Sequence, residues 1–537
     1  MPVLCEDRQA RSCSARWWPW AVVAGCLTIP SAARADAVML WNNELLSIIQ
    51  QTSALLTNGP PEVAREIAMV DTAMYDAVNA ATGETYKPYA FSTGPFHLHA
   101  STDAAALQAG FTVMQSIFSN PIWGSSVTAS ILPQITQTYK TGLSQLDPGF
   151  KTLEGLALGA GAGATMVGVR KNDGAIAAIQ NGLNTFIPPG SGTVPGVYVP
   201  PTNRPAMFPT WGTVKPFTMT SSTEFSVPQA PDIKSAAYAA SILETQCLGS
   251  AGALPSNVQS ACAIAAGNNN FGLPQTAGKV GSQSGPTASN AQLALFWNDP
   301  GTTYQPPGHW LAIADTVLAD KGITDELQEA RLGAMIGTAE ADAAIAAWET
   351  KYRPFPDGTL WRPITAIQDC NNWNELFTTC DPSWTSLIAT PPHPDYLAGH
   401  PTFSTAAATV LDAFFGTDNI PFCSTSVPYS NGGTPVEPIT LCYDSFLAAA
   451  QDATDSRIYG GIHTTFAVNN GVTLGAQIAN NLLANDFTPE RQECDDRLQL
   501  AGASLVTTDI ASIPEPSSIA ILGIALAGLL SRRKRRH

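Results

Sequence analysis

Apolar residues recur at helical spacing along most of the chain. Between residues 62 and 81, for example, Ala64, Ile67, Ala68 and Val78 fall roughly on one helical face. Segments that alternate apolar and polar residues, which would predict β-strands, are rare. The pattern predicts a mainly α protein, with Ala-rich amphipathic helices near residues 62–81, 102–118, 151–170, 232–247, 325–350, 401–415 and 467–484.

The connections between these helices are rich in Pro and Gly, and the longest covers residues 187–205. No internal repeat and no linker between independent domains is evident before the C-terminal tail. We therefore predict one helical domain over residues 36–505 and a linker over residues 506–513. Within the domain, we expect N-terminal helices over residues 36–320 and the candidate chemistry over residues 321–490.

The first 35 residues have the order of a secretion signal. Arginines precede the apolar run "WWPWAVVAGCLTI", and Ala33-Arg34-Ala35 forms a small-residue cleavage site. We expect cleavage before Asp36, and the alternative is a buried N-terminal helix.

Residues 514–537 have the order of a second targeting segment. Pro514, Glu515 and Pro516 precede an apolar run, and basic residues occupy positions 532–536. The run is short for a complete membrane span, and the basic residues after it favour the cytoplasmic side. The segment resembles the bacterial PEP-CTERM sorting signal, which implies transient membrane anchoring and a sorting machinery as partner. A plain anchor would give the same topology, so we expect the main part of the chain in the periplasm, on the cell surface or outside the cell.

The chain is acidic, with 43 Asp and Glu residues against 27 Lys and Arg residues and a formal net charge of −16. A nucleic-acid partner is therefore not expected. Clusters of basic residues in such a chain indicate a specific role.

Because we expect export to an oxidising compartment, the cysteines that remain after signal cleavage are candidates for disulfides. Their spacing matches no zinc-site pattern. The near pairs are Cys247–Cys262, Cys370–Cys380 and Cys423–Cys442, and Cys494 is left over.

The segment "HPDYLAGHPTFSTAAATVLDAFFG", residues 393–416, joins a Gly-His pair to an apolar helix face. Pro401 suits the first helical position, which makes His400 the expected N-cap and Gly399 the residue before it. A helix start exposes unpaired N–H groups and Gly permits a close approach, so this place favours an oxyanion. His400 could then move a proton near neutral pH. The alternative is a simple cap or surface residue.

A basic stretch lies upstream, at residues 348–367. It gathers Lys351, Arg353 and Arg362 after an Ala-rich helix. Taken alone, these residues could be solvated charges at a helix end.

A second stretch, residues 455–466, places Arg457 and His463 on either side of Gly460 and Gly461. The glycines favour a turn that brings both side chains to one point. Guanidinium and ammonium groups, imidazoles and a helix start together can hold a tetrahedral or trigonal-bipyramidal oxyanion. This combination predicts an oxyanion site.

The three motifs, a Lys followed by "WRP", then "GH" before an Ala-rich helix, then "SRIYGGIH", resemble those of the vanadium-dependent haloperoxidase and acid phosphatase (PAP2-like) superfamily. Three further segments resemble secreted vanadium haloperoxidase homologues: "VDTAMYDAVNA", "WGTVKPF" and "ALFWNDPGTTYQPPGHWLAIA". The likeness covers roughly residues 38–490. It implies an all-α fold with two four-helix bundles, in agreement with the periodicity.

The resemblance also implies vanadate as cofactor and a secreted or surface-attached peroxidase that oxidises halide with hydrogen peroxide to hypohalous acid. His463 is then the vanadium ligand, and His400 is the acid–base group beside the oxyanion. The oxygens of the cofactor are neutralised by Lys351, Arg362, Arg457 and the Gly399 N–H.

Two residues are candidates for the halide pocket. His393 stands where, by resemblance, fungal chloroperoxidases have Phe and algal bromoperoxidases have His, which favours bromide or iodide over chloride. Trp348 matches a pocket tryptophan of the family, and the alternative is a place in the helix core. We expect His309, in "PPGHW", to be structural and hydrogen-bonded where a loop meets a helix.

The sequence departs from the family pattern at two points. Ten residues separate Lys351 from Arg362 instead of the usual six, so "PFPDGT" resembles an insertion that could displace Lys351 and let Arg353 replace it. Ala398 stands where the family often has Ser. The missing hydroxyl is expected to weaken cofactor binding by roughly 1–3 kcal/mol.

Three alternatives stay open. An acid phosphatase would use His463 as nucleophile and His400 to protonate the leaving alcohol, although the long N-terminal half favours the peroxidase. A surface or matrix homologue would keep the scaffold without catalysis. A zinc hydrolase built on His393, His400 and His463 would lack a suitable carboxylate pattern.

Overall fold

The computed structural model describes residues 36–94, 99–184, 186–202, 204–267, 277–427 and 437–490. The chain divides into two units, Met1–Pro489 and Glu490–His537, and all elements named below belong to the first. The predicted signal segment, the linker, the sorting segment and Cys494 lie outside the described residues.

Within these ranges the protein is mainly α, which confirms the predicted helical-bundle class. The helices are α1 (Ala37–Thr52), α2 (Pro60–Ala81), α3 (Thr102–Phe118), α4 (Ser125–Gln145), α5 (Phe150–Arg170), α6 (Ala175–Gly182), α7 (Ala236–Leu248), α8 (Ser256–Gly267), α9 (Asn290–Phe296), α10 (Gln305–Lys321), α11 (Glu326–Lys351), α12 (Pro363–Gln368), α13 (Gly399–Phe415), α14 (Phe446–Tyr459) and α15 (Thr465–Asn485). The strands β1 (Lys279–Val280), β2 (Phe422–Ser426) and β3 (Ile439–Tyr443) form one antiparallel sheet in the order β1–β3–β2.

Each of the seven helical stretches predicted from periodicity coincides with a helix of the structure. The periodicity missed α14 because this helix has no separate polar face. Its polar residues are buried beside its apolar ones: Asp452, Thr454, Asp455 and Ser456.

Small residues let the helices of the first group, α2, α3, α5 and α11, approach closely. A Cβ on Gly159 or Gly155 of α5 would collide with carbonyl oxygens of α3. The two backbones are therefore in contact. This packing buries Leu158, Ala162 and Met166 of α5, a helix that by length and composition alone would also suit a membrane span.

The long helix α11 connects this first group to a second one. It packs against α13, and α13 in turn packs against α14 and α15. Several helix ends of this second group meet at one place: the end of α11, the starts of α12, α13 and α15, and the end of α14. This place holds the candidate site.

The three disulfides expected from the sequence are confirmed. Cys247–Cys262 joins α7 to α8, and Cys370–Cys380 closes the loop after α12. The third bond, Cys423–Cys442, joins directly paired residues of β2 and β3.

Buried carboxyl groups gather at the start of α11. Burial raises the pKa of Glu326 to about 8, and the neighbouring Asp103 adds to this rise. Burial likewise raises the pKa of Glu329 to about 9 and that of Asp315 to about 7. The folded state therefore binds these protons more tightly than the unfolded state. The contribution of these carboxyl groups to the free energy of unfolding is fully present below about pH 4 and is lost as the pH rises toward 9.

We predict that Glu326→Gln reduces this pH dependence. At pH 9 the wild type must ionise a buried carboxyl group, so the variant should be more stable by about 1–3 kcal/mol, and the difference should disappear near pH 4. Urea unfolding at both pH values measures it. The exposed Glu375 provides the control, because Glu375→Gln should leave the pH dependence unchanged. An equal effect of Glu326→Gln at both pH values would contradict the prediction.

Candidate active site

His463 lies in the turn between α14 and α15. Gly461 in this turn has a φ of +75°, and a Cβ there would collide with the Gly249 carbonyl oxygen, so the turn needs Gly. The imidazole is buried, and its Nδ1 lies 2.7 Å from Asp395 Oδ1. Because a carboxylate accepts this hydrogen bond, Nδ1 carries the hydrogen and Nε2 keeps its lone pair.

Asp395 was not among the residues predicted from the sequence. It is fully buried, and its Oδ2 also accepts a hydrogen bond of 2.6 Å from Thr464 Oγ1. Burial raises the pKa of Asp395 to about 6, and the nearby Arg362 opposes this rise. The available signal was its place two residues after His393, as an acidic side chain next to the apolar start of α13.

Arg362, the residue before α12, ties two histidines together. Its Nε donates to the His393 carbonyl oxygen at 2.6 Å, and its Nη1 donates to the Ile462 carbonyl oxygen at 2.7 Å. Nη1 also lies 3.1 Å from His463 Nε2, and Nη2 lies 2.9 Å from His393 Nδ1. Burial lowers the pKa of Arg362 to about 10.

The extra residues before Arg362 do not displace Lys351. The Thr359 N–H donates to the Lys351 carbonyl oxygen at 2.7 Å, so the chain between them leaves the helix end and returns to it. Lys351 is fully buried, and its Nζ donates to the carbonyl oxygens of Pro394, at 3.0 Å, and Asp395, at 3.4 Å.

Arg353, the alternative to Lys351, has a different partner. Its Nε donates to Glu349 Oε1 at 2.9 Å, and both side chains are partly exposed. Arg353 therefore belongs to a surface ion pair of α11.

Arg457 and His400 form a second contact pair. Arg457 lies in the last turn of α14, and its Nη1 is 3.2 Å from His400 Nε2. Its Nε lies 3.0 Å from Ser456 Oγ, and its Nη2 donates to the Trp297 carbonyl oxygen. Burial lowers the pKa of Arg457 to about 9, and the nearby Asp299 opposes this.

Helix α13 starts earlier than predicted. Ala398 is its N-cap and Gly399 its first residue, so the prediction of His400 as N-cap is wrong by two residues. Pro401 is tolerated at the third position because the first N–H groups of a helix have no intrahelical acceptor. The Gly399 N–H belongs to this first turn, and a Cβ at Gly399 would lie 3.3 Å from the ring of Trp348.

Trp348 contributes both to the helix core and to the site. Its side chain is buried in α11, and its Nε1 donates to the Met207 carbonyl oxygen at 3.2 Å. The ring centroid lies 5.2 Å from that of His393 and 5.6 Å from Lys351 Nζ. Trp348 is therefore a residue of the helix core that also lines the cavity described below, and its role in a halide pocket stays a prediction.

His309 has the structural contacts expected for it. At the start of α10, its Nδ1 lies 3.2 Å from Asp299 Oδ1 and its Nε2 lies 3.0 Å from Ser424 Oγ. These bonds join the loop before α10 to β2.

Within the described part of the chain, the buried cations of the site form no direct ion pair, although Asp395 lies near enough to Lys351 and Arg362, and Asp299 to Arg457, to oppose the fall in their pKa values. Among the ion pairs of the described residues, none involves Lys351, Arg362 or Arg457. Burial lowers the pKa of each of the three, because the charged form is desolvated. Buried charge without a counter-ion is costly. This donor set therefore fits a bound anion, and the donors suit oxygen atoms.

The histidines of the site are neutral near neutral pH. Burial lowers the pKa of His393, His400 and His463 well below the ordinary value, and the neighbouring cations add to this. His463 Nε2 can thus act as a ligand or a nucleophile, and His400 can accept a proton.

A cavity of about 380 Å³ opens onto this cluster. The three histidines, Gly399 and Trp348 line it, and the two arginines contact these histidines, Arg362 at His463 and Arg457 at His400. Among the described residues, no group of three or more His, Cys, Asp and Glu side chains has an arrangement that could hold a metal ion. The structure thus brings together the residues selected from the three motifs.

Comparisons with known proteins agree with this arrangement. Residues 331–487 match the family model of the VCPO second helical-bundle domain, and residues 512–536 match the PEP-CTERM protein-sorting motif. All candidate site residues lie within the first match. A search of curated proteins gives no significant match.

Solved structures of bacterial vanadium-dependent enzymes are similar to this chain. A bacterial vanadium-dependent iodoperoxidase is 20% identical with a TM-score of 0.62, and the alignment covers 85% of this chain and 98% of that one. A holo-type bacterial vanadium-dependent chloroperoxidase is 16% identical with a TM-score of 0.57, covering 81% and 94%. Its apo-type counterpart is also 16% identical, with a TM-score of 0.55 and coverage of 79% and 93%.

We predict that Asp395→Asn weakens oxyanion binding. The neutral amide accepts from Nδ1–H more weakly than a carboxylate and can also turn its N–H group toward the ring, and loss of such an orienting partner typically costs about 10–100-fold in affinity. Calorimetric titration with orthovanadate measures the Kd. Asp342 supplies the control, since it is another fully buried carboxylate but binds the backbone of residues 217–219. An unchanged Kd in folded Asp395→Asn would contradict the assigned role.

The helical fold and the segment that carries the three motifs both resemble vanadium haloperoxidases. The described residues have the helical fold that is also seen in the solved structures of vanadium haloperoxidases. The chain is therefore a protein of the vanadium haloperoxidase fold, with a segment that matches the VCPO second helical-bundle domain and a C-terminal PEP-CTERM sorting motif.

Proposed function

We propose that the protein is an exported, vanadate-dependent haloperoxidase that oxidises halide with hydrogen peroxide to hypohalous acid. The observation that carries this proposal is the group of three buried cations that form no direct ion pair among the described residues and lie beside a neutral histidine. Lys351, Arg362 and Arg457 supply the positive charge, and His463 supplies the lone pair. The similar structures are those of an iodoperoxidase and of chloroperoxidases, which supports this class of reaction.

The residues of the site would have different roles in binding vanadate. His463 Nε2 would bind vanadium, with Asp395 fixing the tautomer. The three cations and the Gly399 N–H would bind the vanadate oxygens. When bound, vanadate supplies a Lewis-acidic centre that activates peroxide.

His400 would handle the proton. Its pKa lies well below the ordinary value because of burial and of the Arg457 charge, so it starts neutral and can take a proton from entering peroxide. The reaction converts halide, hydrogen peroxide and one proton to hypohalous acid and water. A protonated His400 is the nearest source of that proton.

We infer export from both ends of the chain. The sorting motif at residues 512–536 implies export and a C-terminal sorting signal. Removal of residues 1–35 would then leave the helical domain, predicted over residues 36–505, outside the cytoplasm. A sorting machinery at the membrane is the expected partner of the tail.

We expect bromide or iodide to be preferred over chloride. The ring of His393 lies 2.9 Å from Arg362 Nη2, so this neutral imidazole takes up one of the guanidinium hydrogen bonds. Less of the Arg362 charge is then directed at the bound oxyanion. A weaker pull on the oxyanion suits halides that are easier to oxidise.

The central prediction concerns His463 and His400. With orthovanadate, peroxide and bromide, the purified protein should brominate a phenol, and His463→Ala or His400→Ala should lower the rate at least about 100-fold. His99→Ala, at an exposed histidine outside the site, should retain the wild-type rate.

The competing functions have distinct outcomes in the same assay. Hydrolysis of p-nitrophenyl phosphate without vanadate, and no bromination, would indicate the acid phosphatase that the same oxyanion site could support. Neither activity in the folded protein would indicate a non-catalytic surface or matrix homologue.

A further prediction tests the halide preference. His393→Phe removes the acceptor of Arg362 Nη2 and leaves that N–H for the oxyanion, so the ratio of kcat/KM for bromide over chloride should fall by about 3–10-fold. Steady-state kinetics with each halide measure the ratio. A ratio that stays constant while both rates change would argue against a role of His393 in halide choice.

A further inference from the structure

The predicted cleavage point lies directly before the start of α1. Asp36, which signal removal would make the N-terminal residue, is the N-cap of this helix. Its Oδ1 accepts a hydrogen bond of 2.9 Å from the Met39 N–H, and its carbonyl oxygen accepts one of 3.0 Å from the Leu40 N–H. These bonds fix Asp36 to the helix, so an α-amino group created at this residue would have a defined position.

The Glu329 side chain of α11 reaches this same point. Helices α1 and α11 pack against each other, and the carboxyl groups of Asp36 and Glu329 are hydrogen-bonded. Such a bond requires that one of the two carboxyl groups carries a hydrogen. Burial and the contact with Asp36 raise the pKa of Glu329 to about 9, so Glu329 holds that hydrogen near neutral pH.

Glu329 lacks the donors that its neighbour Glu326 has. Glu326 accepts hydrogen bonds from the Thr102 hydroxyl group and the Ala37 N–H. Glu329 is only 3% exposed, and its buried Oε2 has no N–H or alcohol donor among the described residues. The strongest charges that act on it come from three acidic residues, Asp36, Glu326 and Asp315. An ammonium group is the kind of donor that this buried acidic environment favours.

The helix dipoles add a reason for pairing an ammonium group with Glu329. Helix α1 has no acidic residue in its first turn, and a positive charge at a helix start is unfavourable by itself. Glu329 lies in the first turn of α11, where a negative charge is favoured. A carboxylate of α11 would thus offset a positive charge at the start of α1.

We propose that signal removal creates the partner of Glu329: the new α-ammonium group of Asp36 forms an ion pair with the buried Glu329 carboxylate and joins α1 to α11. In the cleavage, water splits the amide bond between Ala35 and Asp36, which leaves a carboxylate on Ala35 and an ammonium group on Asp36. Only Cα and Cβ separate this nitrogen from the Asp36 carboxyl group that contacts Glu329. A positive charge so close favours the ionised form, and Glu329 gives its proton to the solvent. The inference rests on the proposed export and does not depend on the proposed reaction.

The first experiment identifies the N-terminal residue. The full chain is produced in a bacterium that exports it, and Edman sequencing is applied to the protein isolated outside the cytoplasm. We expect the processed chain to begin with Asp36, Ala37 and Val38. A first residue other than Asp36 would overturn the inference and leave the haloperoxidase proposal intact.

The second experiment measures the pKa of the α-amino group in the exported protein. Acetylation with limiting acetic anhydride over a pH series, followed by mass spectrometry of the N-terminal peptide, gives this pKa. We expect it at least about one unit above the ordinary value of about 8, because the ion pair favours the charged form. Glu329→Gln should remove most of this rise. Equal pKa values in the wild type and in Glu329→Gln would overturn the inference.

Glu340→Gln is the matched control variant for this measurement. Glu340 is a fully buried glutamate of the same helix, and its carboxyl oxygens have no hydrogen-bond partner among the described residues. It lies about 16 Å along α11 from Glu329. The pKa of the α-amino group should therefore be the same in Glu340→Gln as in the wild type. A similar fall in both variants would show a general effect of buried carboxyl groups and would contradict the ion pair.

The third experiment moves the ammonium group away from Asp36. One Gly inserted between Ala35 and Asp36 becomes the N-terminal residue, which Edman sequencing verifies. Urea unfolding near pH 7 should then give a ratio of folded to unfolded protein at least about fivefold lower than in the wild type. The same insertion in Glu329→Gln should change this ratio less than about twofold. No effect in the wild type, or an equal effect in both backgrounds, would overturn the inference.

Discussion

The site depends on three buried cations that form no direct ion pair with a carboxylate of the described residues. Elsewhere in this protein, buried arginines form direct ion pairs. Arg65 and Arg170 both contact Asp173, at 2.7 and 3.1 Å. The three cations of the site instead donate to backbone carbonyl oxygens and lie near neutral imidazoles. Such groups orient a cation without neutralising it. The excess of buried positive charge thus favours a bound anion, and this preference connects the fold to the proposed chemistry.

Helix ends are suited to gather buried cations and free N–H groups in one site. A helix interior satisfies its own backbone, whereas its last turn leaves carbonyl oxygens and its first turn leaves N–H groups for other partners. The ends of α11 and α14 carry Lys351 and Arg457, and the start of α13 presents Gly399. The packing of α11 against both helix groups holds these ends in place. Residues separated by more than a hundred positions can therefore share one cavity.

The sequence predicted the helical class and seven helices because their apolar faces are continuous. It was less informative where burial and polarity coincide. The buried polar residues around Asp455 interrupt the apolar periodicity of α14, so this helix was not predicted. Asp395 was not predicted because a single buried carboxylate leaves no periodic pattern in the sequence. The ten-residue spacing between Lys351 and Arg362 also suggested, wrongly, that Lys351 could be displaced from the site. Only the three-dimensional structure reveals the Thr359–Lys351 hydrogen bond that closes the gap. The exact start of α13 depended on backbone geometry at Ala398, which residue types alone do not determine.

The Thr359–Lys351 hydrogen bond fixes both ends of the loop. Residues between Tyr352 and Asp357 leave the helix end and return to it, and Tyr352 Oη donates to the Met207 carbonyl oxygen while Asp357 Oδ1 accepts from Gln229 Nε2. A side chain at position 358 would not fit, because a Cβ on Gly358 would lie 2.8 Å from the Arg353 backbone nitrogen. Pro354 and Pro356 form the exposed outer edge of this loop, whereas Tyr352 and Phe355 are partly buried. A peptide tag attached at that outer edge would lie on the far side of the loop from the buried Lys351 side chain.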